Sequence, residues 1–175
     1  VPIVMPITEP ALGLGAAGGP VFLHGSMAGD TGPTGRRIPP SISALIGFAT
    51  SNGSWGGFGG HLGHWKDGTI RSLTGGGYAS LELATYPVDG AKLDFRIEAA
   101  PLIEDFTVAI PGSDLMVGAR YVLSATRVHL EGDGAAVGQL QRDVTATLSG
   151  LGPVLRWDSR DSILSPDAAA RAELA

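Results

Sequence analysis

The stretch that decides the fold is Asn52–Leu83, "NGSWGGFGGHLGHWKDGTIRSLTGGGYASLEL". Its second half alternates. Leu73, Gly75, Gly77, Ala79, Leu81 and Leu83 fall on one side of an extended chain, with Ser72, Thr74, Gly76, Tyr78, Ser80 and Glu82 on the other. Successive strand side chains point to opposite faces, so this period of two predicts a strand with one apolar and one polar face. A helix is disfavoured, because each interior glycine costs about 1 kcal/mol relative to alanine. Lys66-Asp67-Gly68 supplies a turn, and the whole stretch reads as a long hairpin whose first arm is bounded by Trp55 and Trp65.

The same period recurs outward from this hairpin. In "LDFRIEA", Leu93, Phe95, Ile97 and Ala99 oppose Asp94, Arg96 and Glu98. In "LMVGARYVLSAT", Leu115, Val117, Ala119, Tyr121 and Leu123 oppose Met116, Gly118, Arg120, Val122, Ser124 and Thr126. Val144, Ala146 and Leu148 oppose Thr145, Thr147 and Ser149, and Ser41–Thr50 alternates less cleanly. Turn signals at Ser51-Asn52-Gly53, Asp89-Gly90, Pro111-Gly112-Ser113-Asp114 and Gly132-Asp133-Gly134 separate these runs. The prediction is an all-β, antiparallel up-and-down meander of roughly eight or nine strands in one domain over residues 1–175. Residues 25–40, with "GDTGPTGRRIPP", read as a loop. Pro166–Leu174 has helix-favouring composition and serves equally as the start of a strand.

Composition adds a constraint. Only 17% of residues are charged, against about 25% in an ordinary soluble domain. The longest apolar run, Ala44–Ala49, is far short of the ~20 residues of a membrane helix. Strands near ten residues with one apolar face reconcile low charge with the missing apolar helix, since they cross a bilayer as a transmembrane β-barrel. Leu73, Gly75, Gly77, Ala79 and Leu81 are then expected to face lipid, with Gly76 toward the lumen. A net charge of −5 without a basic cluster argues against nucleic acid. There are no cysteines, hence no disulfide framework or thiolate site.

Motifs that mimic chemistry lack their contexts. Gly13, Gly15 and Gly18 match a dinucleotide fingerprint, but Pro20 interrupts the helix that must follow, so no cofactor is expected. His61 and His64, three apart on a strand, point to opposite faces and cannot share a metal; His24 and His129 stand alone in the sequence. No serine sits in a nucleophile elbow, and no enzymatic activity is expected. Glu82, Asp94 and Glu98 are carboxylates of a polar lumen wall. Trp55, Trp65, Tyr86 and Trp157 fall near strand ends, as an aromatic girdle at the lipid–water boundary requires. In "WDSRDSILSP", Asp158, Arg160, Asp161 and Pro166 read as a strand-end turn in which Arg160 ties two carboxylates.

This last string, with Gly150-Leu151-Gly152, Leu155 and Trp157 before it and Ile163-Leu164 within it, resembles the bacterial surface antigen family, the BamA/TamA-type outer-membrane barrels. "GSWGGFGGHLGHWKDGTIRSLTGGGYASLEL" and Ser113–Thr126 look like further strands of a small branch of that family, and Met5–Gly19 like its first barrel strand. Asp167-Ala168-Ala169 replaces the Arg-Gly that the family places after the proline. The later Arg-Gly-aromatic loop and the periplasmic POTRA repeats are not in the sequence. The resemblance implies the first part of an outer-membrane barrel, truncated at its C-terminus. It implies residence in the outer membrane of a Gram-negative bacterium, the lipid bilayer as partner, and client outer-membrane proteins as further partners in assembly. A passive pore and a soluble ligand-binding barrel are the alternatives.

Overall fold

Alternation and turns produce the predicted strands in the computed structural model, which describes residues 1–25, 30–31, 37–85, 93–132, 143–158 and 171–174. In chain order the strands are β1 (Pro2–Ile7), β2 (Gly15–His24), β3 (Asp30–Thr31), β4 (Arg37–Ile38), β5 (Ser41–Thr50), β6 (Trp55–Trp65), β7 (Ile70–Thr85), β8 (Leu93–Ala109), β9 (Leu115–Gly132), β10 (Asp143–Asp158) and β11 (Arg171–Leu174). No helix occurs among the described residues. Nine strands form one antiparallel sheet in the order β1-β2-β5-β6-β7-β8-β9-β10-β11, and β3 pairs with β4 alone, inside the span 25–40. The meander is present, but the sheet is open: β1 and β11 are its edges and do not pair.

The β6–β7 turn forms where Lys66-Asp67-Gly68 places it. Lys66 (φ 48°), Asp67 (φ 56°) and Gly68 (φ 80°) are all left-handed, the conformation that matches the twist of flanking strands. Glycine is needed at Gly77 for another reason. A Cβ there would sit 2.3 Å from the Gly57 carbonyl oxygen of the neighbouring strand. Met5–Gly19 departs from its single-strand expectation. Glu9–Leu14 turns the chain, and Met5 pairs with Ala17 across a β1–β2 hairpin. Pro10 lies within the break, as expected of a residue that restricts φ and lacks a donor. In Pro166–Leu174, Arg171–Leu174 is a strand paired with Leu155–Asp158.

Cross-strand partners share a face, so the registers sort every side chain. One face carries Trp55, Trp65 and Trp157 and is called the Trp face; the other is the reverse face. On β8 the large apolar side chains change sides. Phe95, Ile97 and Ala99 lie on the reverse face, and Leu102, Phe106 and Val108 on the Trp face, while Ile103 of β8, Val122 and Met116 of β9 and Val154 of β10 keep to the reverse face. The same exchange occurs on β9 between Val128 and Leu123, and on β10 between Leu148 and Leu151. The exchanges align, because Pro101 pairs with Ser124 and Ser124 with Leu148. The register runs unbroken through this line, so no bulge produces it. The polarity pattern itself changes there.

The sheet has almost no core. Among the described residues, the buried apolar side chains are Ala79, Met116 and Val154, whereas 25 large apolar or aromatic residues are exposed. The accessible surface is 11048 Å². A compact chain of this mass exposes about 8,000 Å².

Candidate functional site

Two charged clusters are built across the sheet by register. The first lies on the Trp face above the line of exchange. Glu98 on β8, His129 on β9 and Asp143 on β10 form a chain of hydrogen-bonding groups, with Tyr78 of β7 on the same face. His129 Nδ1 is 2.8 Å from Asp143 Oδ1 and its Nε2 is 3.4 Å from Glu98 Oε2. Asp143 and, more weakly, Glu98 hold the His129 pKa above its ordinary value, against partial desolvation. Beside this chain Arg96 is ion-paired with Glu82. Trp55 and Tyr78 lean together, ring centroids 5.4 Å apart and tilted by 44°.

Beside them is a cleft of about 960 Å³ whose walls include Trp55, Tyr78, Glu82, Asp94, Arg96 and Glu98. Its rim is the β5–β6 turn, and that turn is braced. Asn52 Oδ1 accepts from Thr50 Oγ1 (2.7 Å) and from the Ser54 amide (3.1 Å), while Asn52 Nδ2 donates to the Glu82 carbonyl (2.6 Å). Buried Ser54 accepts the Glu82 amide through its hydroxyl (2.8 Å). Turn chemistry of Asn and Ser with local backbone is ordinary; here it also locks the turn onto β7.

The second cluster lies on the reverse face, near the other end of β8–β10. Arg120 grips Asp105 Oδ2 through Nε (2.9 Å) and Nη2 (2.6 Å). Arg156 reaches the same oxygen at 3.6 Å. Glu173 on β11 bonds both guanidinium groups, at 2.6 Å to Arg120 and 3.0 Å to Arg156. Asp105 is 4% exposed and Thr107 fully buried beneath Arg156. A carboxylate so desolvated persists only because guanidinium groups pair with it.

The predicted site residues are placed as follows. Trp55 and Trp65 lie at opposite ends of β6 on one face, half exposed, and Trp157 lies on that face at the level of the row next to Trp65. Asp158 ends β10. Tyr86, Arg160, Asp161 and Pro166 lie outside the described residues. Glu82, Asp94 and Glu98 meet in the cleft. His61 and His64 do face opposite ways, but His61 is not isolated from His24. Both converge on Ser43 Oγ, at 2.8 and 2.9 Å. His129, which stands alone in the sequence, sits between two carboxylates. Leu73, Gly75 and Gly77 share the reverse face with Asp105, Arg120 and Arg156. No group of three or more metal-ligating side chains is found among the described residues. Comparison with protein-family models, with curated proteins and with solved structures returned no match.

Proposed function

We propose that this sheet is part of the wall of a transmembrane β-barrel in an outer membrane, with the Trp face of β8–β10 against lipid. The observation that carries this reading is the missing core. Three buried apolar residues cannot offset the ordering of nine strands, and 25 exposed ones need a cover. The excess surface, roughly 3,000 Å², is more than a standard protein contact buries in total.

The spacing of aromatic residues supports lipid as the cover. Trp55 and Trp65 are ten residues apart on the Trp face, with Tyr78 beside Trp55 and Trp157 near the level of Trp65. Ten strand residues rise about 33 Å, which a tilt of about 40° turns into a band near 25 Å, the height of a lipid-facing barrel belt between aromatic girdles. Within that band β8–β10 present Leu102, Phe106, Val108, Val117, Leu151 and Leu155 on the Trp face, interrupted in the row of Leu151 by Glu104, which accepts from Thr74 Oγ1 at 2.7 Å, with Asp105, Arg120 and Arg156 behind them. The change of polarity at Pro101–Ser124–Leu148 lies within that band, on the side of the row that joins Trp55 to Ser80, Glu98 and Arg127. Beyond it, the outer side carries Glu98, Arg127 and His129 toward water.

Its role, on the surface-antigen resemblance, is in assembly or insertion of outer-membrane proteins through an open edge. β11 pairs with only four of the sixteen residues of β10 among those described. An uncovered strand offers backbone groups to an incoming strand. Reconstitution tests both parts. Purified protein added to phospholipid vesicles should insert and accelerate folding of a client barrel; failure to do either sinks the proposal. Conductance in planar bilayers without assembly activity would select a passive pore. Quantitative recovery as a monomer in detergent-free buffer would select a soluble barrel.

A further inference from the structure

We infer that the cleft bordered by Trp55 and Tyr78 is a saccharide-binding site. A sugar ring has an apolar face of C–H groups and an edge of hydroxyls that need donors and acceptors side by side. The cleft supplies both. Trp55, 54% exposed, and Tyr78, 36% exposed, form an aromatic platform with their rings 5.4 Å apart. Along its edge stand Glu82 and Arg96, an acceptor and a donor already held together, with Glu98 and Asp94 beyond them. Its volume of about 960 Å³ is at the upper end of the roughly 300–1,000 Å³ of small-molecule sites, room for more than one ring.

Preorganisation strengthens the inference. The Tyr78 ring leans on Trp55, which holds it as part of one stacking surface. Asn52 and Ser54 tie the rim to Glu82, so the walls are set before a ligand arrives. Fixed polar groups of this kind lower the cost of ordering on binding. The alternative ligand, an organic cation, meets a mixed field: Arg96 is in the wall, and Arg127 and His129 flank Glu98. The site stands on the cleft alone and holds whether or not the Trp face meets lipid. In a bilayer, Trp55 at the girdle would put it at headgroup depth, so a free oligosaccharide and a glycolipid headgroup share the required chemistry.

Saturation-transfer NMR on the detergent-purified protein tests it with maltotriose, triacetylchitotriose and spermidine as probes. Transfer to the ring protons of at least one trisaccharide is expected at millimolar concentration. Trp55→Ala should weaken it about tenfold, the loss of one aromatic contact. Tyr78→Phe, which keeps the ring, should retain it, and Glu98→Gln and Glu82→Gln should weaken it without unfolding the sheet. Competition by lipopolysaccharide vesicles, set against phospholipid-only vesicles, would identify a headgroup source; no competition would identify a free saccharide. Transfer to neither trisaccharide, transfer indifferent to Trp55→Ala, or binding of spermidine alone would each overturn the inference.

Discussion

Leu148 and Leu151 on β10 provide a direct test of which face meets lipid. They are 71% and 76% exposed, three residues apart on one strand, and on opposite faces. In water, replacing either by arginine removes no buried contact and should change stability by less than about 0.5 kcal/mol. In a bilayer the two differ. Leu151 lies four residues along β10 from Leu155, whose row across the sheet contains Trp65. Four residues rise about 13 Å along the strand, or about 10 Å of a 25 Å band at the same tilt, close to its middle. An arginine on the lipid face at that depth costs about 2–4 kcal/mol, whereas one on the lumen side costs little. Leu151→Arg should therefore lose about 2–4 kcal/mol in phospholipid vesicles and Leu148→Arg less than about 1 kcal/mol. Reversible guanidinium unfolding in vesicles, followed by tryptophan fluorescence, measures both. Equal small losses would remove lipid from both faces. A larger loss at Leu148 would put lipid on the reverse face, where Leu73, Gly75 and Gly77 lie, and would refute the assignment made above.

Three further outcomes follow from the contacts. Asp105→Ala leaves Arg120 and Arg156 with Glu173 as their one shared carboxylate; with Arg120 about a quarter exposed, the loss should be about 2–3 kcal/mol. Arg120→Ala in the same background should restore part of it, and strictly additive losses in denaturant unfolding would show that the pair is not coupled. His129 should titrate above 6.5 by NMR, and Asp143→Asn should bring it down. Because the folded-state value is the raised one, the stabilisation by protonated His129 is complete below about pH 6.5 and fades as pH rises through the folded-state value; a His129 value at or below 6.5 contradicts the bridge. Gly77→Val would push a side chain into the Gly57 carbonyl, and a drop in thermal midpoint smaller than that of Gly150→Val, at an open position of β10, would contradict the close approach.

Much of the fold was legible along the chain. Period-two runs and the Lys66-Asp67-Gly68 turn are local properties, because strand periodicity and left-handed turn positions depend on neighbouring residues alone. They sufficed for the all-β meander and for the opposite facing of His61 and His64. The β1–β2 hairpin was hidden because Met5–Gly19, apart from Thr8 and Glu9, is made of prolines and small or apolar residues, with no alternation to mark its two arms. The candidate site was only partly legible. Glu82, Asp94 and Glu98 stood out as carboxylates. What joined them to Trp55, Arg96 and His129, or brought His24 to His61, was invisible, since these partners lie on different strands.

Alternation along each strand by itself determined which residues share a side, and composition that the chain holds too little charge for an ordinary soluble surface. Only the tertiary structure decided how those sides join from strand to strand. Lateral register is a nonlocal quantity: shifting a strand by one residue exchanges its two faces without altering its own sequence pattern. That is why the gathering of Asp105, Arg120, Arg156 and Glu173, the cleft beside Trp55 and the shared line at Pro101, Ser124 and Leu148 emerge from pairing and not from any single strand.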